Sequence, residues 1–512
     1  MHRLSLLAIL LIALFLRLYH FDYLSVWDDE ARTYLVSAAT SPVNVLKLQQ
    51  LQIPANPPLD PLIRHFFMRI GGDNTFFFTL PSLVFSLLGI FCSFILARRL
   101  FGFPAAIITA FLLTIHPLDI TYAQEARNYA ILSVVVPLAS LAFLKAIETN
   151  RILHWLLYSV SLTFCFYSHL LTLGVAITHG IYFMLRMIMD YRDVESPRGT
   201  LRLLISYMLA LSFSILLFLP WLLPYLSREI NPWDKGPAII YFNLWRVVMM
   251  FNSGMFRVIP IALTLTGLYA FFRREKRENT LFVILNILVL YAASYMATKN
   301  NFFHIRYVYF ILPFFLMITA HGILFLSERV SKLSRVGFLK TGYVAGMILL
   351  LLSLNNVRHL YAGYQYGWED NFEGDWRGAA EYVHEHFREG DAIVVPHRLH
   401  ANFDTYNKLP TYGYEVTDQQ AKVIPSHEIT ENSLTGREWG IIMYNNRYPD
   451  YNSDIAGYIS SKKYSRLWVI WNFEFKLTKE DLFLSLLFKY GKPVDVKKLK
   501  GVVVTLWEIS SK

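Results

Sequence analysis

Apolar segments of about 17–25 residues follow one another through most of residues 1–358, and they constrain the fold of this chain more than any other feature. Each is long enough to cross a bilayer as a helix, and 54% hydrophobic residues exceeds what a soluble protein of this size carries. Residues 359–512 have ordinary polarity. The sequence therefore predicts an α-helical polytopic membrane domain over 1–358 and a soluble domain over 359–512.

Short clusters of Lys and Arg orient the apolar segments. Because such residues collect in cytoplasmic loops, the clusters at 98–99, 186–202, 273–277 and 329–340 are expected inside the cell, and they explain the net charge of +10 without nucleic acid. This gives about eleven spans in the cell (inner or plasma) membrane, with a cytoplasmic N-terminus and an extracytoplasmic C-terminal domain. The expected spans are 3–20, 76–97, 104–118, 128–147, 152–168, 171–189, 203–226, 256–272, 280–297, 308–326 and 338–356.

The outer face then carries several polar segments, namely 21–75, 119–127, 227–255 and 298–307. Residues 30–51 have helical periodicity but too little apolar length to span, which predicts a helix on the membrane surface. In the soluble domain we expect helices at 375–389 and 482–490. Strands are expected at 392–396, 438–443, 466–471 and 501–508, which makes this an α/β domain.

Three adjacent carboxylates, Asp28, Asp29 and Glu30, follow Trp27 at the outer end of the first span. Near a low-dielectric boundary they are unfavourable, because burial and like charge both raise the pKa of a carboxyl group. An ionised carboxylate here can act as a general base toward an incoming hydroxyl or amine. The same residues can begin the surface helix, with Asp28 or Asp29 as the cap and Glu30 near the positive end of the helix dipole. The two roles are compatible.

Other polar residues of the outer face can bind an anionic substrate. Glu125, Arg127 and Tyr129 either contact a substrate and its phosphate or form an interfacial ion pair with an aromatic anchor. Arg306 suits phosphate through its planar fork of donors, and Lys299 is a second cation nearby; snorkelling is the alternative for both.

Histidines such as His169 are more typical of a structural role at the end of a span. With Glu30, Glu125 or Asp119 they can also be combined into a metal site, but no ligand spacing typical of a metal site occurs. No metal ligand is therefore assigned and no cofactor is predicted, with a divalent metal kept as the alternative.

A series of short motifs, in order along most of the chain, resembles the GT-C glycosyltransferases, and within them the protein O-mannosyltransferase and lipid A aminoarabinose transferase group. They are Trp27-Asp28-Asp29-Glu30-Ala31, Asn56-Pro57-Pro58-Leu59, the stretch Thr121 to Ala130, Tyr167-Ser168-His169, Arg306-Tyr307, and Asp375 to Ala380 with Gly390-Asp391.

The resemblance implies a GT-C-like fold and inverting transfer of a sugar from a polyprenyl-phosphate-linked donor to a lipid, protein or polysaccharide acceptor. It implies that Asp29 is the catalytic base, with Glu30 beside it and Asp28 as the rival base. Arg127 and Arg306 would meet the lipid phosphate, with Lys299 as the added candidate.

The resemblance also implies substrate contacts, at Glu125 for the sugar or acceptor and around Tyr129, His169, Asn56 and Tyr307. Asn56 stands where the group usually has histidine, and an amide cannot titrate or act as a cation. A phosphate or metal role therefore does not carry over to this position.

Two other functions fit some of these features. A transporter or flippase of lipid-linked sugars would use the same arginines, but paired broken spans in two homologous halves are not found. A non-catalytic cell-envelope assembly protein would depend on the soluble domain and not on the acidic residues. A departing lipid phosphate is an anion that needs cations instead of a general acid, which favours the transferase.

Overall fold

The computed structural model describes residues 2–52, 56–190, 197–227, 251, 258–273, 277–298, 305–333, 341–366, 374–394, 405–406, 414–417, 420–423, 465–472 and 491–509. The chain forms two compact units. The first comprises Met1–Phe21, Ile53–Asp60 and Thr79–Tyr366, and the second comprises Asp22–Gln52, Pro61–Phe78 and Gly367–Lys512. The predicted domain boundary after residue 358 stays a prediction.

Helices dominate the described residues. In chain order they are α1 (His2–Leu18), α2 (Asp28–Ser37), α3 (Pro42–Gln52), α4 (Leu59–Gly71), α5 (Thr75–Phe101), α6 (Phe103–Thr114), α7 (Pro117–Gln124), α8 (Tyr129–Thr149), α9 (Ile152–Ser168), α10 (Leu173–Asp190), α11 (Pro197–Ser227), α12 (Val258–Arg273), α13 (Arg277–Thr298), α14 (Leu312–Leu333), α15 (Thr341–Tyr366) and α16 (Trp376–His386). Short 3-10 helices cover Leu170–Thr172 and Ile305–Ile311.

Apolar helices lie at each of the predicted spans. Among the described residues, six helices are long and apolar enough to cross a bilayer, or seven if the bent pair α6 and α7 counts as one span. Shorter apolar helices cover Leu4–Leu18, Ile152–Ser168, Val258–Tyr269 and Thr341–Leu354. The mostly helical architecture is thus confirmed, while its placement in a membrane, the count of eleven spans and their orientation stay predictions.

The bend between α6 and α7 measures 58°. Pro117 begins α7 and has no N–H to continue the preceding helix, while His116 is extended and its Nδ1 accepts a hydrogen bond of 3.2 Å from the Leu118 N–H. The helix runs to Gln124 and so covers most of segment 119–127, whose place on the outer face stays a prediction.

Helices α12 and α14 pack with their backbones in close approach. A methyl group built on Gly322 would lie 1.9 Å from the carbonyl oxygen of Leu263, and one built on Gly267 would lie 2.0 Å from that of Ile318. Only glycine fits at these two positions without moving the helices apart.

The first loop of the second unit holds two helices where one surface helix was predicted over 30–51. Helix α2 ends at Ser37 and α3 begins at Pro42, because Pro42 cannot continue a helix and Ser41 caps α3 by accepting a hydrogen bond of 3.3 Å from the Asn44 N–H. Helix α4, which the sequence analysis did not predict, packs against this pair. Its Arg69 donates to the carbonyl oxygen of Thr40 at 2.7 Å.

A mixed sheet forms the described core of the soluble domain. Its strands are β1 (Asp391–Val394), β4 (Arg466–Asn472), β5 (Gly491–Leu499) and β6 (Val502–Ile509), and a separate hairpin contains β2 (Tyr414–Thr417) and β3 (Gln420–Val423). The order is β1-β4-β6-β5, with β1 parallel to β4 and the other pairs antiparallel.

Helix α16 covers this sheet through the buried Trp376 and Val383, which pack on Ile393, Trp468 and Val504. The predicted helix at 375–389 and the strands near 392, 466 and 501 are confirmed. The predicted strand 438–443 and helix 482–490 lie outside the described residues. Strand β5 escaped prediction because its lysine-rich sequence is largely exposed and lacks an apolar face.

Candidate functional site

Residues from separate motifs meet in the first unit. Arg127 follows α7, and its N–H donates to the carbonyl oxygen of Glu125 at 2.9 Å. Tyr129 begins α8, His169 separates α9 from the first 3-10 helix, and Arg306 lies on the second 3-10 helix. Helix ends and tight turns therefore position each side chain, although 179 residues separate the two arginines in sequence.

Electrostatic interactions show that these residues form one cluster. Arg127, Arg306 and Glu125 all act on the hydroxyl of Tyr129, and both arginines act on His169. Tyr307 belongs to the same group, because its ring lies 6.3 Å from that of His169 and 5.6 Å from the Arg306 guanidinium carbon. Two cations thus concentrate around a partly buried histidine.

His169 is uncharged at neutral pH. Burial, reinforced by the positive charges of Arg127 and Arg306, lowers the pKa of His169 to about 4. Its Nδ1 accepts a hydrogen bond of 3.1 Å from the Leu171 N–H, so the ring proton is assigned to Nε2. The ring can donate one hydrogen bond to an anion without adding charge to the cluster.

A buried network that the sequence analysis did not predict supports the cluster. Tyr122 packs between Tyr129 and Tyr309, with ring centroids at 5.1 and 4.6 Å. The Tyr309 hydroxyl donates to Asp119 at 2.8 Å, and Arg17 donates to the same carboxylate at 2.6 Å.

The network joins the helices that carry the arginines, since Tyr309 shares a 3-10 helix with Arg306 and Asp119 lies on the helix before Arg127. The sequence signal for this network was Arg17, which lies inside an apolar span, because a charged side chain there needs a buried partner.

The acidic residues lie in the second unit. Helix α2 begins at Asp28, and Trp27 occupies the cap position. Glu30 is 6% exposed, and its carboxylate accepts a hydrogen bond of 3.1 Å from the Trp27 N–H. Asp29 is partly exposed. The prediction that Asp28 or Asp29 caps α2 was therefore wrong. Glu30, at the third helical position, caps the helix instead, because its carboxylate accepts a hydrogen bond from the N–H at the helix start.

The remaining predicted site residues are placed separately. Asn56 is partly buried just before α4 in the first unit, and Lys299 lies outside the described residues. Among the residues that the structure describes, no three His, Cys, Asp or Glu side chains form a group that could hold a metal ion. The functional roles of all these residues stay predictions.

Comparison with known proteins gives a family match over part of the chain. Residues 55–223 match the model of a family described as dolichyl-phosphate-mannose-protein mannosyltransferase. No curated protein matches the chain by sequence.

Solved structures share the fold. ArnT from Cupriavidus metallidurans bound to undecaprenyl phosphate has a TM-score of 0.62 at 13% identity, over 98% of this chain and 97% of that chain. The Archaeoglobus fulgidus oligosaccharyltransferase, tethered to an acceptor peptide containing the NVT sequon, has a TM-score of 0.53 at 13% identity, over 100% of this chain and 74% of that chain. The complex of that oligosaccharyltransferase with zinc and sulfate has a TM-score of 0.50 at 13% identity, over 96% of this chain and 71% of that chain. The resemblance to GT-C glycosyltransferases is confirmed.

Proposed function

We propose that this chain, which has the fold of GT-C glycosyltransferases, transfers a sugar from a polyprenyl-phosphate-linked donor to an acceptor on the outer face of a cell membrane. The observation that carries the proposal is the cluster of Arg127 and Arg306 around the neutral His169. Two guanidinium groups near a neutral hydrogen-bond donor suit a phosphate ester that becomes more negative as its bond to the sugar breaks.

The arginines replace a general acid. The bond between the anomeric carbon and the phosphate oxygen breaks, and the electron pair stays on the lipid phosphate. A phosphate anion needs no proton to depart, so charge stabilisation by Arg127 and Arg306 suffices. Burial of Arg127 strengthens its attraction, since the local dielectric is lower than that of water. Lys299 is the further cation proposed for this phosphate.

The acidic residues serve the acceptor. Asp29, which is partly exposed, takes the proton of the acceptor group as that group attacks the anomeric carbon from the side opposite the phosphate, which inverts the configuration. The Glu30 cap fixes the start of α2 and thereby orients Asp29. Asp28 is the rival base.

The substrate contacts complete the proposed site. Glu125, Tyr129, Tyr307 and Asn56 are proposed to contact the sugar or the acceptor, which is a lipid, protein or polysaccharide. Undecaprenyl phosphate, the lipid bound in the ArnT structure, is the first lipid carrier to test.

The test is transfer by purified protein in nanodiscs, with several undecaprenyl-phosphate sugars and a panel of acceptors. Asp29→Asn should lower kcat by about 10²–10⁴-fold, as expected for loss of a general base. The exposed Glu385 on α16 provides a control, and Glu385→Gln should leave the rate unchanged. If Asp28→Asn and Asp29→Asn both retain full transfer, the base lies elsewhere. Translocation of the lipid-linked sugar without any product would favour a flippase.

A further inference from the structure

The motif Asp375-Trp376-Arg377-Gly378, at the start of α16, has no role in the transfer proposed above. Asp375 caps the helix, because its Oδ1 accepts a hydrogen bond of 2.9 Å from the Gly378 N–H. A methyl group on Gly378 would lie 2.5 Å from Asp375 Oδ2, so a side chain there would require the capping carboxylate to shift. Trp376 is fully buried in the core beneath the sheet.

The Asp375 cap and the buried Trp376 together fix the first turn of α16. Arg377, the next residue, points toward the loop 21–75. Its guanidinium donates to the carbonyl oxygen of Asp22 at 2.9 Å, to Asp22 Oδ1 at 3.0 Å and to Thr75 Oγ1 at 3.3 Å. Its N–H donates to Ser25 Oγ at 3.2 Å. All of these residues belong to the second compact unit.

Tyr406 adds a second attachment to the same stretch of chain. Its ring lies 5.2 Å from the Arg377 guanidinium carbon, and its hydroxyl accepts a hydrogen bond of 2.8 Å from the Val26 N–H. The next residue, Trp27, is buried and donates its N–H to Glu30. Contacts therefore run without interruption from the soluble domain through residues 22–27 to the acidic residues.

Residues 23–27 form neither helix nor strand, so local secondary structure does not fix the approach to α2. Asp22 adopts a left-handed backbone conformation with φ 58°, which is uncommon for non-glycine residues, although aspartate adopts it more often than most. Arg377 donates two hydrogen bonds to Asp22, and Tyr406 accepts one from the Val26 N–H.

We propose that Arg377 is a positioning residue, through which the soluble domain fixes residues 22–27 and thereby sets the position of Asp29. This rests on the proposed function for its catalytic consequence. The structural consequence, an ordered segment 22–27, does not depend on it. The soluble domain thus contributes to the chemical step whether or not it also binds the acceptor.

Hydrogen–deuterium exchange on the full-length protein in nanodiscs tests the structural part. Arg377→Ala should raise amide exchange about tenfold in peptides covering 22–31, because Asp22 loses its hydrogen bonds to the guanidinium, and Tyr406, which accepts from the Val26 N–H, loses the cation packed on its ring. Arg388→Ala is the matched control, since Arg388 is an exposed arginine of the same domain. Unchanged exchange in Arg377→Ala, with the protein folded, would overturn the proposal.

Transfer kinetics test the catalytic part. Arg377→Ala should lower kcat by about 10²-fold, the size of effect expected when a reacting group is misplaced by about 1 Å, with donor KM unchanged. Arg377→Lys should be less impaired than Arg377→Ala, because lysine keeps the positive charge. It should not recover fully, since a single ammonium group cannot bind the two Asp22 oxygens and the Thr75 hydroxyl at once.

The two proposals fail differently. If the wild-type protein transfers no sugar from any donor but Arg377→Ala still loosens residues 22–31, the proposed function is wrong and the positioning contact stands. If the wild type is active and Arg377→Ala changes exchange but not kcat, the contact does not position the base. If Arg377→Ala raises KM and lowers the thermal midpoint while kcat is unchanged, Arg377 contributes to folding alone.

Discussion

Arg17 and Asp119 form a buried ion pair, with Nη2 and Oδ1 2.6 Å apart and side chains that are 0% and 2% exposed. The carboxylate also accepts hydrogen bonds from Ser86 at 2.5 Å and from Tyr309 at 2.8 Å. A pair removed from water needs such additional hydrogen bonds, because attraction alone does not offset the desolvation of two charges. The pair therefore acts as part of a network and not as an isolated contact.

Breaking this pair from one side should be costly. Arg17→Ala leaves the Asp119 carboxylate without its counter-charge in an apolar interior and should lower stability by about 3–5 kcal/mol. The measurement is the thermal midpoint in detergent. The exposed pair of Arg99 and Glu148, at 3.0 Å, is the control, and Arg99→Ala should cost no more than about 1 kcal/mol. Equal shifts for the two variants would contradict the assigned network.

The arginine cluster should bind the lipid phosphate. Arg127→Met and Arg306→Met should each weaken binding of undecaprenyl phosphate about 100-fold, while the lysine variants should lose about tenfold, or about 1.4 kcal/mol, because lysine lacks the bidentate fork. The exposed Arg151→Met should bind as the wild type does. Competition binding in nanodiscs measures this. Unchanged affinity in both methionine variants would place the phosphate elsewhere.

His169 should make stability depend on pH. Its pKa is about 4 in the folded protein against an ordinary value of 6.5, so between these values the unfolded chain binds a proton that the folded chain does not. Stability contributed by this group is therefore complete above pH 6.5 and is lost as the pH falls toward 4.

His169→Asn should flatten this part of the stability profile by about 1–3 kcal/mol. The exposed His384→Asn is the control and should leave the profile unchanged. Thermal midpoints recorded across this pH range measure the effect. A profile in His169→Asn that still falls as in the wild type would show that other groups cause the acid sensitivity.

The glycine contact between α12 and α14 should tolerate no side chain. Gly322→Ala and Gly267→Ala force the two backbones apart and should destabilise by about 1–3 kcal/mol. Gly346→Ala is the matched control, because no atom lies within 4 Å of its added methyl group, and alanine favours helix there. A stable Gly322→Ala protein with an unchanged thermal midpoint would disprove the close approach.

Much of this organisation could be predicted from the sequence. Hydropathy placed the apolar helices, because burial of about 20 apolar residues in a row has few other solutions. The motifs containing Arg127, His169 and Arg306 were expected on one face, and the structure brings them together. The family resemblance, more than local pattern, selected these residues from other polar ones.

Other features could not be predicted because they depend on partners distant in sequence. Arg17 pairs with a residue 102 positions away, and Arg377 with one 355 positions away. The division of the first loop into α2 and α3 was not predicted, because the apolar periodicity before and after residues 38–41 is continuous enough to indicate one helix. Ser41 and Pro42 were the residues that indicated a break. Strand β5 gains its conformation from pairing with β6, not from its own residues.

The contacts of Arg377 also set an order of events during synthesis. The acceptor at Ser25 leaves the ribosome 352 residues before its donor. At about 5–20 residues per second, that separation corresponds to about 20–70 s. The segment leading to the acidic residues cannot reach its final arrangement until the soluble domain has been made and has folded. A nascent or truncated chain that ends before Arg377 would lack the contacts that, in the proposed function, position Asp29.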